Sequence, residues 1–321
     1  MRDSRFTHHE SRVISIFNPP SSIRYLPAVT FGKITIIGVG LLGGSIGLAV
    51  KRRKLARQTA GFVRRTASLK DCERAGAVDF ATTDLPAAVW GADLVILCTP
   101  LAQMRGRVRE MLPALKRGAI VTDVGSVKAS VLREIESLVE KSGAHFVGGH
   151  PMAGAEKTGV SSARTDLFEK TVCVLTPTKQ TNRAALKKVK QFWSALGSRV
   201  LELQPEVHDA LVSRSSHLPH VVAAVLASHV LNPAHPKQQS ALCASGFRDT
   251  TRIASGSPEM WRDIALANRR NLAKSLDAYV ADLRKFQHIL KKGDAKTLTK
   301  FFETARQRRD DWQWKVLNSE F

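Results

Sequence analysis

The sequence predicts an α/β chain in which a doubly wound, mostly parallel sheet is followed by an all-helical C-terminal domain. Three features carry that expectation. Short β-branched runs alternate with helical stretches from Lys33 to Leu203, the pattern of successive βαβ units. The first strand runs straight into a glycine-rich turn that opens a helix, and after Pro205 the strand-like runs stop.

Taken in order, Lys33 to Ile37 reads as the first strand and Gly44 to Lys54 as the helix after the glycines. Gln58 to Val63 is the second strand and Leu69 to Ala75 a helix. Ala92 to Cys98 is a buried strand, Gln103 to Leu115 a helix and Ala119 to Val124 a further strand. Val127 to Lys141 is a helix, with strands at His145 to Gly148, Thr171 to Leu175 and Val200 to Leu203 around a helix from Arg183 to Leu196. Beyond Pro205 the pattern gives long helices over 205–231, 258–288 and 295–316. The expected organisation is an N-terminal extension over 1–30, disordered because it mixes Pro, Ser, His and Arg without periodicity. A dinucleotide-binding domain over 31–204 and a helical substrate and dimerisation domain over 205–321 follow.

Composition narrows the class. A chain of 321 residues exceeds the roughly 250–300 at which single cores stop growing, so two domains are expected. No stretch approaches the roughly 18 apolar residues of a membrane span, and the first 30 residues lack a signal-peptide pattern; a cytoplasmic protein with no membrane partner is expected. Cys72, Cys98, Cys173 and Cys243 have no CxxC spacing and read as reduced thiols. The net charge of +21 would suit a polyanion, but the basic residues lie at helix ends and on solvated helix faces, and aromatic residues make up only 6%, so no nucleic-acid partner is expected.

Gly38-Val-Gly40-Leu-Leu-Gly43 fits GxGxxG between a strand and a helix, the dinucleotide fingerprint of a Rossmann domain. Gly38 permits the tight turn, Gly40 lets the backbone approach a pyrophosphate, and Gly43 lets helix and strand pack closely. The ribose-binding position, about 20 residues on, offers Val63-Arg64-Arg65 rather than an acid. Arginines suit a 2′-phosphate, which favours NADP over NAD, whereas an Arg64 that only stacks on adenine would leave either acceptable. Leu42 in the glycine turn and Cys98, Thr99 and Pro100 at the end of a neighbouring strand complete the expected cofactor contacts.

Ligands of such sheets bind beyond the carboxyl ends of the strands. Thr99, Ser126 and His150 all fall there, and His150 between Gly149 and Pro151 is well placed for chemistry. Asp209, Ser213, Ser216, His217 and His220 form one polar stripe on the first C-terminal helix, expected to line a cleft or face water. No HExxH is present and no metal is expected. The segment from Gly246 to Arg252 offers an arginine able to clamp a carboxylate.

Together these motifs resemble the prephenate dehydrogenases and their arogenate-using relatives, the TyrA enzymes of tyrosine biosynthesis. The resemblance runs from about Lys33 to Trp314. It rests on GVGLLGGSIG (38–47), LCTP (97–100), TDVGSVK (122–128), GGHPMAGAEKTGV (148–160), DLFEKTVCVLTP (166–177), HDALVSRSSHLPH (208–220), GFRDTTRIA (246–254) and MWRDI (260–264). It implies NAD(P)-dependent oxidative decarboxylation of prephenate to 4-hydroxyphenylpyruvate, with arogenate or dual cyclohexadienyl specificity as the alternative, and a homodimer joined through the helical domain.

Residue by residue, the resemblance makes His150 the base for the ring 4-hydroxyl, with Ser126 bonding the same hydroxyl. Arg252 holds the ring carboxylate and His217 contacts the substrate side chain. Glu156 and Thr158 form pocket wall and gate, and Gly246 lies at the substrate. Two readings compete. A β-hydroxyacid dehydrogenase would need a catalytic lysine where Asp209, Ser213 and His217 stand, and a non-catalytic nucleotide sensor would bind a dinucleotide without turnover.

Overall fold

The computed structural model describes residues 30–154 and 158–317, so the expectations for residues 1–29 and for Glu156 lie outside the described residues. Strands β1 (Phe31–Ile37), β2 (Ala56–Phe62), β3 (Phe80–Thr82), β4 (Leu94–Leu97), β5 (Ile120–Asp123) and β6 (His145–Val147) form one fully parallel sheet. Its order is 3-2-1-4-5-6, with the chain reversing direction across the sheet between β1 and β4. Helices α1 (Leu41–Arg52), α2 (Ala67–Arg74), α3 (Leu85–Val89), α4 (Leu101–Met111) and α5 (Ala129–Lys141) cross between the strands. Strand β4, buried at all four residues, is sandwiched between two apolar layers, one built with α1 and the other with α3, α4 and α5. Burial on both faces explains why the strands read as apolar runs rather than alternating ones.

The last strands do not extend this sheet. β7 (Gly149–Pro151), β8 (Val172–Leu175) and β9 (Arg199–Glu202) form a second sheet in which β7 and β8 are antiparallel. The cause is local. Among the described residues only a single 3-10 turn, Val160–Ser162, lies between β7 and β8, and without a crossover α-helix the returning strand pairs antiparallel. Gly148 and Gly149 let the chain turn from one sheet to the other, since a Cβ at Gly149 would lie 2.9 Å from the Asp123 carbonyl oxygen. β7 is thereby laid across the end of β5. β3 and α3 are absent from the sequence expectation because three and five residues are too short to show a period. Helix α6 (Arg183–Ala195) seals the second sheet with Phe192 and Trp193.

After β9 all the described elements are helical. The single helix expected over 205–231 is two, α7 (Pro205–Val212) and α8 (Leu218–Val230), joined by a π-helical turn over Ser213–His217. Pro219 has no N–H to give the Ser215 carbonyl, which removes one i→i−4 bond and lets the turn widen. Short helices α9 (Gln238–Ala241) and α10 (Ser245–Thr251) follow. The next expected helix is broken at Asn268 into α11 (Pro258–Ala267) and α12 (Arg269–Lys292), and α13 (Ala295–Leu317) ends the described chain. α7 packs on α5 and α11 on α4, which places the helical half over the carboxyl ends of β4 and β5.

Candidate active site

The glycine turn between β1 and α1 has the geometry its sequence demands. Gly38 sits at φ +98°, and a Cβ on Gly43 would come within 2.1 Å of the Gly38 carbonyl oxygen, so neither position admits a side chain. Gly40 differs: nothing lies within 4 Å of where its Cβ would be. This open space meets the N-terminus of α1, whose first turn has neither a side-chain cap nor an acidic residue, an arrangement that fits a pyrophosphate. Beside it, the Thr99 hydroxyl is buried with no protein partner among the described residues, a second sign of a polar ligand. Leu42 is half-buried against the core, and Pro100 is the residue from which α4 starts. Arg64 and Arg65 are exposed just beyond β2. Burial pushes the Cys98 thiol above the usual cysteine range, so it is an inert neighbour of the cleft.

His150, 7% exposed, lies on β7. The strand beneath it is fixed by a buried ion pair: the Lys128 ammonium donates to the Asp123 carboxylate and, at 2.7 Å, to the Gly149 carbonyl. Asp123 in turn accepts the Gly149 N–H at 3.1 Å and the Gly125 N–H at 2.8 Å. Half-buried Ser126 lies in that same short loop between β5 and α5. Three strand-end segments, those of β4, β5 and β7, therefore bring Thr99, Ser126 and His150 to one edge.

The roof comes from α7. His150 Nδ1 lies 2.8 Å from His208 Nε2, and His208 Nδ1 lies 2.8 Å from Asp209 Oδ1. The Asp209 carboxylate accepts the backbone N–H groups of Lys128 at 2.7 Å and Ala129 at 3.0 Å, capping α5 from another helix. Asn268, at the break between α11 and α12, donates through Nδ2 to the Asp209 carbonyl at 2.8 Å and to His217 Nδ1 at 3.2 Å. Its Oδ1 accepts from Asn271, which fixes the amide orientation. His217 therefore carries its proton on Nε2, and this buried N–H has no partner among the described residues.

His217 helps line a mostly apolar cavity of about 280 Å³, together with His220, Val221, Ile253, Ala254, Trp261, Ile264 and Leu272 among others. His220 stacks on Trp261 at 3.7 Å, and the turn that begins with Arg252 supplies one wall. The expected polar stripe is thus largely interior: Asp209, Ser213 and His217 are buried, and Ser213 bonds Ser275 at 2.8 Å instead of facing a cleft. The π-helical turn shifts the register that simple helical spacing assumes. Gly246 on α10 and Thr158 are exposed, and no contact joins either to His150 among the described residues.

His208, Lys128 and Asn268 are structural findings. His208 adjoins Asp209, but i and i+1 lie on different helical faces, so the stripe does not include it. Lys128 sits inside a quoted motif without a visible role, and nothing in the sequence marks Asn268.

The electrostatics favour neutral imidazoles. Burial, then His208, Lys128 and His217, hold His150 well below the usual histidine range. Burial, with smaller contributions from His208 and His220, lowers His217 to about 4 against the opposing pull of Asp209, and burial lowers His220. Because the native state refuses protons that the unfolded chain accepts near 6.5, stability is complete above that pH and declines as pH falls towards the folded values. Melting temperature is expected to be level from pH 8 to 7 and to drop from pH 6.5 to 5; a flat profile across that window would contradict the buried neutral histidines.

Residues 46–202 match the family model described as the prephenate dehydrogenase nucleotide-binding domain, and residues 204–304 match that of the prephenate dehydrogenase dimerization domain. The chain belongs to the prephenate dehydrogenase family. It is 35% identical to the prephenate dehydrogenase of Bacillus subtilis over 86% of this chain and 75% of that one. It is 33% identical to the cyclohexadienyl dehydrogenase of Zymomonas mobilis over 87% and 95%. The solved prephenate dehydrogenase of Aquifex aeolicus, in complex with hydroxyphenyl propionate and NAD+, superposes with a TM-score of 0.83 at 31% identity, covering 88% of this chain and 99% of that one. The join between the two matched parts of the family falls in the turn from β9 to α7. No helix among the described residues is long and apolar enough to cross a membrane.

Proposed function

We propose that the chain is an NAD(P)-dependent prephenate dehydrogenase, converting prephenate to 4-hydroxyphenylpyruvate and carbon dioxide. The observation that carries this reading is a buried histidine, His150, held on β7 beyond the carboxyl end of β5 with its Nδ1 2.8 Å from His208 of the overlying helix α7. Bound in the cradle, a nicotinamide would accept hydride from the carbinol carbon of the ring. His150 Nε2, whose ring partner nitrogen is engaged by His208, takes the hydroxyl proton. On this reading Ser126 bonds the same oxygen. As the C4–H electron pair leaves, the bond to the ring carboxylate breaks and its electrons complete the aromatic ring, so the protein's task is alignment. Arg252 holds that carboxylate, and Glu156, Thr158 and Gly246 border the substrate.

The unpartnered His217 N–H favours prephenate over arogenate. A neutral donor in an apolar cavity suits the keto oxygen of a pyruvyl side chain and disfavours an ammonium, which cannot accept. The exposed apolar residues of α12 and α13, Leu283, Leu290, Phe301, Phe302, Trp312 and Trp314, support a homodimer through the helical half. We place the dimer in the cytoplasm. Purified protein given each substrate with each cofactor, followed at the reduced-nicotinamide absorbance, tests the whole reading; dinucleotide binding without turnover of either substrate would overturn it.

Arg64 and Arg65, exposed just beyond the end of β2, favour NADP, because the residue after the second strand of such a sheet reads the adenosine ribose and an arginine suits a 2′-phosphate. Arg64→Asp is expected to shift the NADP to NAD ratio of kcat/KM by about tenfold or more towards NAD. An unchanged ratio would show that these arginines do not read the ribose.

A further inference from the structure

The hydrogen-bond chain running from β7 into α7 fixes proton positions as well as side chains. Asp209 already accepts two backbone N–H groups at the start of α5, so towards His208 it offers oxygen lone pairs. His208 Nδ1 must then carry the proton of their 2.8 Å contact. When Nδ1 holds the single ring proton of His208, Nε2 presents a lone pair, and in the next contact, also 2.8 Å, His150 Nδ1 is the donor. A neutral His150 protonated on Nδ1 has a bare lone pair on Nε2.

We infer that Asp209 and His208 are positioning residues that lock His150 in the tautomer whose Nε2 is free to act as base. The inference rests on the proposed role of His150 and extends it to two residues that touch neither substrate nor dinucleotide. The opposite arrangement has a clear cost. If His208 donated from Nε2, His150 Nδ1 would have to accept, Nε2 would hold the proton, and the ring could not take another from a hydroxyl. Full burial of His208 keeps water from supplying an alternative partner, and the Lys128 bridge to Gly149 keeps β7 from sliding out of reach. The dependence of a catalytic imidazole on the acceptor behind it is general, and a wrong tautomer can cost several orders of magnitude in rate.

Two substitutions separate positioning from packing. In His208→Gln the amide oxygen can still accept from His150 Nδ1, whereas in His208→Leu nothing can. Long-range 1H–15N spectra of protein labelled at histidine, at neutral pH and without substrate, are expected to show His150 protonated on Nδ1 in wild type and His208→Gln. In His208→Leu that signature is expected to be lost. In parallel, kcat for prephenate is expected to stay within about threefold for His208→Gln and to fall at least tenfold for His208→Leu, with dinucleotide affinity unchanged in both. His150 protonated on Nε2 in wild type, or a folded, dinucleotide-binding His208→Leu with wild-type kcat, would overturn the inference. If the chain turns over neither prephenate nor arogenate, the proposed function fails, yet the spectra still decide the tautomer.

Discussion

Replacement of His150 by Asn is expected to lower kcat by about 10²-fold or more while leaving dinucleotide affinity nearly unchanged. Shape and proton capacity set this effect. The Asn amide nitrogen falls near the place of imidazole Nδ1, so it can still donate to His208 Nε2 and the buried chain to Asp209 survives. What is lost is the second nitrogen, and with it the only imidazole that the strand ends present beside the dinucleotide cradle among the described residues. The cradle itself is built from β1, α1 and the end of β4, none of which the substitution touches. Steady-state kinetics with the cofactor saturating, and calorimetric titration of the dinucleotide, separate the two quantities. Unchanged turnover would remove His150 from the chemistry; a parallel loss of dinucleotide binding would show that it acts through the fold.

The second large effect is expected at Arg252. If its guanidinium holds the ring carboxylate, Arg252→Gln removes a charge-assisted contact worth roughly 1.5–3 kcal/mol, which corresponds to a KM raised by roughly 10- to 150-fold. kcat is expected to fall less, since the carboxylate is bound in ground and transition states alike until carbon dioxide leaves. Arg252 is exposed at the start of a short turn whose next residues, Ile253 and Ala254, wall the cavity beside His217. An exposed side chain there can change without disturbing the core, so the melting temperature is expected to move little. Wild-type kinetics in this variant would show that the carboxylate is held elsewhere.

Much of this was legible before any coordinates. GxGxxG between a β-branched run and a helix locates the dinucleotide turn because only glycine tolerates the +98° φ at position 38 and the 2.1 Å approach at position 43. The alternation of strands and helices gives the doubly wound sheet, since apolar period and length are local properties. Local patterning failed where the decisive interactions are remote. The three-stranded second sheet depends on how Gly148 and Gly149 pass the end of β5. The break at Asn268 depends on two acceptors more than 50 positions away, a separation no periodicity encodes.

The residue types at the strand ends, a glycine turn, a serine and a histidine, were determined by the sequence alone, because each is tied to a local backbone shape. Which partners hold that histidine was decided only in three dimensions. His150 acquires its partner from a residue 58 positions distant, and through it from a carboxylate held by the first turn of α5. A tautomer is a property of hydrogen-bond partners, and those partners are brought together by the packing of α7 on α5.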